Sequence, residues 1–286
     1  MDTAQEDSSD FSEDDLAEPL FPKKQIEETK DVWTNLLKSC PPHLQNRVFY
    51  LLSTKYPNVV SKHSVDFGRC TLPDPKFKLE LNTDKPFVSK PYPLNAAYQS
   101  FVDEIVQEMI AEGFLIEEAS EYGSGVFVRA RPSSDGNHRI RLIYDLRKLN
   151  SVTRKSLYPI PSIRNLLQKL RNRPYRYLLD LKDSYQSIEL DEKTRHLASV
   201  VTASGQYTPT RMGYGFTNAP SHFSRVISRT IAGIDDTFNY LDDIVLVADT
   251  PEGLIEVLDK VLDRLDKAVF RISLGKISLL RKTYES

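Results

Sequence analysis

Apolar and polar positions repeat along this chain with two periods, and the switches between them mark its elements. Two β-prone runs, Phe238–Leu241 and Ile244–Val247, flank the adjacent acids Asp242 and Asp243, which predicts paired strands with both carboxylates at a tight hairpin tip. Tyr175 to Leu181 is another strand-like run, and Asp180 lies at its end. Gly125–Arg129 and Ile140–Tyr144 read as a hairpin around the loop Arg131 to Asn137, and Leu197–Val201 pairs with Gln206–Thr210 across Ala203-Ser204-Gly205. Phe77 to Leu81 alternates cleanly inside a Pro-punctuated, strand-like stretch from Val65 to Pro93.

Elsewhere the period is helical. Val32, Leu36 and Leu37, then Leu44, Val48 and Leu52, define two short amphipathic helices split by Pro41-Pro42. Phe101 to Ala111 carries a helical apolar face and ends near Gly113. Ser162 suits the N-cap of a helix running to about Leu170. Asn218 or Thr217, with Pro220 in the first turn, opens a helix through about Ile231; Thr250 or Asp249, followed by Pro251, opens another to about Ala268.

Composition narrows the class. Hydrophobic residues make up 40% and charged residues 27% of 286, as in a soluble globular protein with a sizeable core. No apolar run reaches membrane-spanning length, and the acidic N-terminus does not resemble a secretory signal, so neither a membrane partner nor secretion is expected. Cys40 and Cys70 are too few for a disulfide framework and read as free thiols in a reducing compartment. Residues 1–31 hold 11 acidic and 3 basic residues, so the rest carries about six net positive charges although the total is −2. That suits phosphate binding without proving it. The expected organisation is a disordered acidic tail over 1–30, a helical connector over 31–64 and one domain over 65–286.

The acid pair is the first chemical oddity. Like charges side by side repel, and turn geometry asks for neither. An ordinary solvated hairpin tip is one reading; a bound divalent cation is the other, since hard oxygen ligands suit hard cations. If the Asp180 strand pairs beside the hairpin, three carboxylates meet at one end of a sheet. Such a cluster suits two metal ions about 3.5–4 Å apart, the arrangement that serves in-line phosphoryl displacement.

Tyr240-Leu241-Asp242-Asp243 resembles the Tyr-X-Asp-Asp box of reverse transcriptases. Leu149-Asn150, Tyr158-Pro159-Ile160-Pro161, Leu179-Asp180-Leu181 with Tyr185, and Phe216-Thr217-Asn218-Ala219-Pro220 follow in the family's order. The set resembles the gypsy-type long-terminal-repeat retrotransposon polymerases from about Val65 onward. The resemblance implies an α+β fold: right-hand fingers (about 65–172) and palm (about 173–286), interleaved, with an antiparallel palm sheet and packed helices.

The resemblance also implies RNA-directed DNA polymerase activity within a Pol polyprotein, in the cytoplasm or in virus-like particles. Its cofactor would be two Mg2+ ions, with Mn2+ as a substitute. Its partners would be an RNA or DNA template-primer duplex and deoxynucleoside triphosphates. Asp180 and Asp242 would bind both metals, Asp243 would support them, and Leu181 would offer its carbonyl. Arg141 would contact the nucleotide phosphates and Tyr185 would exclude a ribose 2′-hydroxyl. Tyr214, Gly215, Asn218 and Tyr240 would face the nucleotide or template. Ile272 to Lys276 would form a strand whose Lys276 protonates the leaving pyrophosphate. For Tyr185 a core position, for Lys276 a surface one, and for Arg129, Arg131 and Arg139 a solvated hairpin remain open.

The chain departs from the family pattern at Gly213 and Tyr214, where Pro and Phe are usual, at Asp183-Ser184, and in the Pro132-Ser133-Ser134 insertion. The chain stops at Ser286, so the expectation is that thumb, ribonuclease H and integrase segments are missing. The competing expectation is a catalytically incompetent fragment that only binds nucleic acid or nucleotide. A protein-interaction module driven by the acidic tail is a further rival.

Overall fold

The β-prone runs pair into two sheets, each packed on helices. The computed structural model describes residues 30–38, 40–63, 65–132, 138–156, 158–159, 164, 168, 170, 173–181, 183–241 and 243–281; it leaves out the side chains of 30–31, 129–132, 138–141, 184, 276 and 278–281. Lys30–Lys38 (α1) and Pro42–Tyr50 (α2) lead through a π turn to Ala96–Ala111 (α3). Leu115–Glu117 (β1), Ser124–Pro132 (β2), His138–Tyr144 (β3) and Arg147–Val152 (α4) follow. Then come Tyr175–Asp180 (β4), Glu192–Leu197 (α5), Val200–Val201 (β5) and Gln206–Pro209 (β6). Ala219–Thr230 (α6), Thr237–Tyr240 (β7), Asp243–Ala248 (β8), Pro251–Lys267 (α7) and Ser278–Arg281 (β9) complete the order.

One sheet runs β7-β8-β4-β9, antiparallel throughout. The other runs β1-β6-β5-β2-β3 and is antiparallel except where β2 meets β5. β8 is buried from Ile244 to Ala248 because it is a central strand covered on both faces, which is why it reads as a continuous apolar run. The helix-facing side of the first sheet offers Tyr177, Leu179, Ile244 and Leu246 to Phe223, Val226 and Ile227 of α6 and to Leu258, Val261, Leu262 and Leu265 of α7. A second core joins Phe101, Val102, Ile105, Val106 and Met109 of α3 to Leu115, Val126, Val200 and Tyr207.

Capping chemistry sets two helix starts. The Asn95 side chain accepts from Tyr98 N (2.8 Å) and Thr250 Oγ1 from Gly253 N (3.1 Å), with Pro251 at the first helical turn. The N-terminal helices do not stand apart. Leu36, Leu44, Val48, Leu51 and Leu52 belong to the same core as β4 and α7, and Lys55 and Tyr56 both bond Asp259 of α7.

Four expectations need correction. Phe77–Leu81 forms no strand, only isolated bridges to Leu190 and Thr153. Its alternation is real because Phe77 and Leu79 are buried, but the flanking prolines lack the donors a ladder needs. Leu197 ends a helix rather than starting a strand, because Asp191 caps α5 by accepting from Thr194 N (2.8 Å). Ile272–Lys276 is not a continuous strand; Ile272 makes bridges to Val60 and Leu181, and Leu274–Lys276 coils into a 3-10 turn. Asn218 occupies the N-cap position of α6 without making a side-chain cap. The expected acidic tail, residues 133–137 of the expected hairpin loop and the Ser162 cap lie outside the described residues; Arg131 and Pro132, expected in that loop, extend β2 instead.

His222 ties α6 to the Pro-rich stretch. Its Nε2–H donates to Pro75 O (2.9 Å), Arg225 donates to its Nδ1 (3.2 Å), and its ring meets Phe77 edge-on. Burial, aided by Arg225 and opposed by the Pro75 carbonyl, holds its pKa below the ordinary histidine value. The unfolded chain therefore binds this proton more readily, so the contribution is present above about pH 6.5 and is lost as pH falls. Between pH 7.5 and 5 the melting temperature should drop more for the parent protein than for His222→Gln. Parallel curves for the two would show that His222 is not the linked group.

Candidate active site

The β7–β8 hairpin sets the geometry. Tyr240 pairs with Asp243, leaving the two-residue loop Leu241-Asp242. Such loops need a positive φ at the first position, and Leu241 supplies it at +55°. A side chain there costs about 1–2 kcal/mol, which the sheet on either side holds in place. Asp242 itself lies outside the described residues.

β4 runs antiparallel to β8 in a register that places Asp180 directly opposite Asp243. Directly opposite residues share a face, with Cα atoms about 4.5–5.5 Å apart. Leu179 and Ile244, the next pair along, are fully buried toward the helices, so Asp180, Asp243 and Tyr240 line the opposite face. Two of the three expected acids are thus brought together. Among the described residues no group of three or more His, Cys, Asp or Glu converges, and Asp242 is not one of them. The donors present are hard oxygens, and two carboxylates set directly across a ladder are destabilising unless positive charge offsets them. That chemistry fits a divalent cation.

Leu181 follows with its side chain buried and its backbone bridged to Ile272, so only main-chain atoms can serve the sheet end. Asp183 then takes φ +36°, and a 3-10 turn over Ser184–Ser187 brings the Tyr185 ring to 5.3 Å from Phe223 and 5.1 Å from Tyr214. Tyr185 is 9% exposed and Tyr214 54%, so the first is a fixed wall and the second an open one. Tyr185 packs in the core against Phe223, five residues along the chain from Asp180.

The loop bearing Tyr214 is clamped from two sides. Asn150 Nδ2 donates to Gly215 O (2.7 Å), and Thr217 N donates to Asn150 Oδ1 (3.0 Å). Asn218 Nδ2 donates to Arg154 O (2.8 Å), and Ser156 N donates to Asn218 Oδ1 (2.9 Å). The Asn218 amide is used across this gap, which is why it does not cap α6. Gly215 sits at φ +97°, a conformation that favours glycine.

Sequence reasoning assigned no role to Asn150, although it stands in the quoted Leu149-Asn150 pair. It also missed Tyr92, Asp145 and Arg147. Tyr92 donates to Asp145 Oδ2 (2.6 Å), and the Arg147 fork grips the same carboxylate at 2.7 and 2.8 Å. Arg147 and Tyr92 hold the Asp145 carboxyl well below the usual carboxylate range. Tyr92 can lie this close only because residue 125 is glycine; a Cβ there would fall 2.8 Å from the ring. Arg141 stands opposite Arg129 in the β2–β3 ladder, and Lys276 ends the 3-10 turn; the side chains of both lie outside the described residues.

Comparisons with known proteins identify the family and the fold. The family model "Reverse transcriptase (RNA-dependent DNA polymerase)" matches residues 132–285, and the chain belongs to that family. It is 31% identical over 210 residues to the retrovirus-related Pol polyprotein from transposon 297 of Drosophila melanogaster, covering 72% of this chain and 20% of that one. To the Pol polyprotein from transposon gypsy of the same fly it is 31% identical over 208 residues, covering 71% and 20%. The chain thus spans about a fifth of the length of these relatives. Among solved structures, prototype foamy virus protease-reverse transcriptase superposes with a TM-score of 0.79 at 22% identity, covering 92% of this chain and 35% of that one. The foamy viral protein in complex with an RNA/DNA hybrid gives 0.78 at 20% identity, covering 93% and 35%. The fold is therefore the α+β fingers–palm fold. Reverse transcriptases generally use divalent metal ions.

Asn150→Ala should release the loop at Gly215–Thr217 and cost about 1–2 kcal/mol. Amide exchange at Thr217 should accelerate while exchange in β8 stays slow. Unchanged exchange at Thr217 would remove the clamp from the account.

Proposed function

We propose that this chain supplies the fingers and palm of an RNA-directed DNA polymerase within a retrotransposon Pol protein, acting in the cytoplasm. It would extend a primer on an RNA or DNA template with deoxynucleoside triphosphates. The observation that carries this reading is Asp180 opposite Asp243 at the end of a sheet, beside the turn that begins at Leu241, in a chain of the reverse transcriptase family.

Asp180 and Asp242 would hold two divalent cations, Mg2+ or in its place Mn2+, through their carboxylates and the Leu181 carbonyl, with Asp243 in support. Bound there, the ions would lower the pKa of the primer 3′-hydroxyl and offset charge on the phosphates. The chain's own work is positioning. Tyr185, whose ring packs on Phe223 and Tyr214, would block the space a 2′-hydroxyl needs. Tyr214, Gly215 and Tyr240 shape the nucleotide pocket, and Asn218 and Asn150 fix its loop. Arg141 forks onto the phosphates and Lys276 gives a proton to the leaving pyrophosphate.

Primer extension on poly(rA)/oligo(dT) with Mg2+ tests the reading. The parent chain should extend the primer, and Asp180→Asn or Asp242→Asn should each lower the rate at least about a hundredfold. Equal rates for parent and variants would leave nucleic-acid binding without catalysis as the function. Tyr185→Val should raise incorporation of ribonucleotides relative to deoxynucleotides, whereas Tyr185→Phe should keep the parent ratio. An unchanged ratio in Tyr185→Val would return Tyr185 to a purely core role.

A further inference from the structure

We propose that Arg69, Arg195 and Arg211 form a phosphate-binding site at the seam between the two cores, with Glu189 as its internal brace. Nothing in the polymerase reading uses these residues.

Four separate segments meet there. Beyond Tyr185 the chain continues through Ile188, Glu189 and Leu190 beside the segment Thr210–Met212. Met212 N donates to Ile188 O (2.8 Å), Leu190 N donates to Thr210 O (2.9 Å), and Glu189 bridges Arg211. Ile188, Leu190 and Met212 are fully buried on one side, so Glu189 and Arg211 share the other. Arg69 reaches in and pairs with Glu189 at 2.7 Å; the Arg69 side chain is 65% exposed and that of Glu189 17%. The Arg211 guanidinium lies 5.9 Å over the ring of Phe114, a member of the second core. Arg195 projects from α5, which packs on β6.

The charges do not balance. Glu189 pairs with Arg69 and bridges Arg211, and burial, with the nearby charges of Arg69 and Arg195 and against the pull of Glu189, lowers the Arg211 pKa from its ordinary value. Arg211 Nη1 and Arg195 Nε are buried with no acceptor among the described residues. Buried cations are normally paired, and an orphaned guanidinium N–H is costly. Nor do these arginines look like simple packing stems, since a lysine or methionine would cover Phe114 without the extra donors.

The missing partner has a definable chemistry. It brings about two negative charges and several acceptor oxygens within reach of planar forks. A phosphate group does both; a peptide carboxylate brings one charge and two oxygens. The exposed Arg69 edge is the entry. The phosphate comes either from a nucleic-acid strand crossing this seam or from a free ion.

Thermal melting of the full chain in sodium phosphate, against sodium chloride at matched ionic strength, tests the site. Phosphate should raise the parent's melting temperature. Arg69→Gln should weaken the apparent phosphate affinity about tenfold, and Arg211→Gln should do the same. Glu189→Gln should strengthen it by removing the competing carboxylate. Salt titration of binding to a single-stranded DNA oligonucleotide and to a primer-template duplex separates the sources. If a strand phosphate occupies the site, Arg69→Gln lowers the slope of log K against log salt by about one. If a free ion does, the slope stays and only the phosphate-dependent melting shift is lost. Identical melting in phosphate and chloride together with an unchanged slope overturns the proposal, as does a phosphate shift that Arg69→Gln and Arg211→Gln leave intact.

Discussion

The register of β4 against β8 is the constraint on which the rest of the structure depends. A slip of one residue would carry Asp180 into the helix-packed core and turn Leu179 out. Burial prevents the slip. The pairs Leu179–Ile244 and Tyr177–Leu246 sit in the main core at 0–2% exposure, and each such side chain contributes about 1.5–3 kcal/mol. Repulsion between two carboxylates directly opposed on a ladder is smaller, about 0.2–1 kcal/mol. Packing therefore wins, and it holds Asp180 and Asp243 together at the sheet end.

Supports reach this pair from several parts of the chain. Ile272 N donates to Val59 O (2.8 Å), Ser61 N to Ile272 O (3.1 Å), and Ser273 N to Asp180 O (3.2 Å), so residues 59–61 brace the acid-bearing strand through one intermediate segment. At the far end of the hairpin, Arg173 pairs with Asp236 and Asp249. Asn150 and Asn218 fix the loop that bears Tyr214 by bonding main-chain atoms across a gap. A site built this way depends on contacts that no short motif contains, which explains why a family pattern spread over some hundred residues marks it better than the Tyr-Leu-Asp-Asp box alone.

Much of this was legible in the sequence where a local signal and the tertiary structure agree. The β7–β8 hairpin, the Asp180 strand and α7 follow from period and capping residues, and the apolar face of α3 from period, although α3 starts at Ala96 behind an Asn95 cap rather than at Phe101. The failures are equally physical. Phe77–Leu81 shows a strand's alternation because it is half-buried, yet its neighbourhood lacks donors for a ladder. Leu197 looked like the start of an apolar strand, but Asp191 had already begun a helix. Asn218 has the chemistry of a cap and uses it elsewhere, and sequence cannot show which of two acceptors or donors an amide will find. The Tyr92–Asp145–Arg147 cluster leaves no local signal because Tyr92 lies 53 residues before Asp145 and depends on Gly125 to let its ring approach.

Cation binding tests the central claim most directly. With a primer-template ending in a dideoxynucleotide and a matching deoxynucleoside triphosphate, Mn2+ titration followed by electron paramagnetic resonance counts the ions held by the complex. The account predicts two tightly held ions for the parent chain beyond those bound by nucleotide and nucleic acid alone, and their loss in Asp180→Asn. The same count and affinity in Asp180→Asn would contradict it.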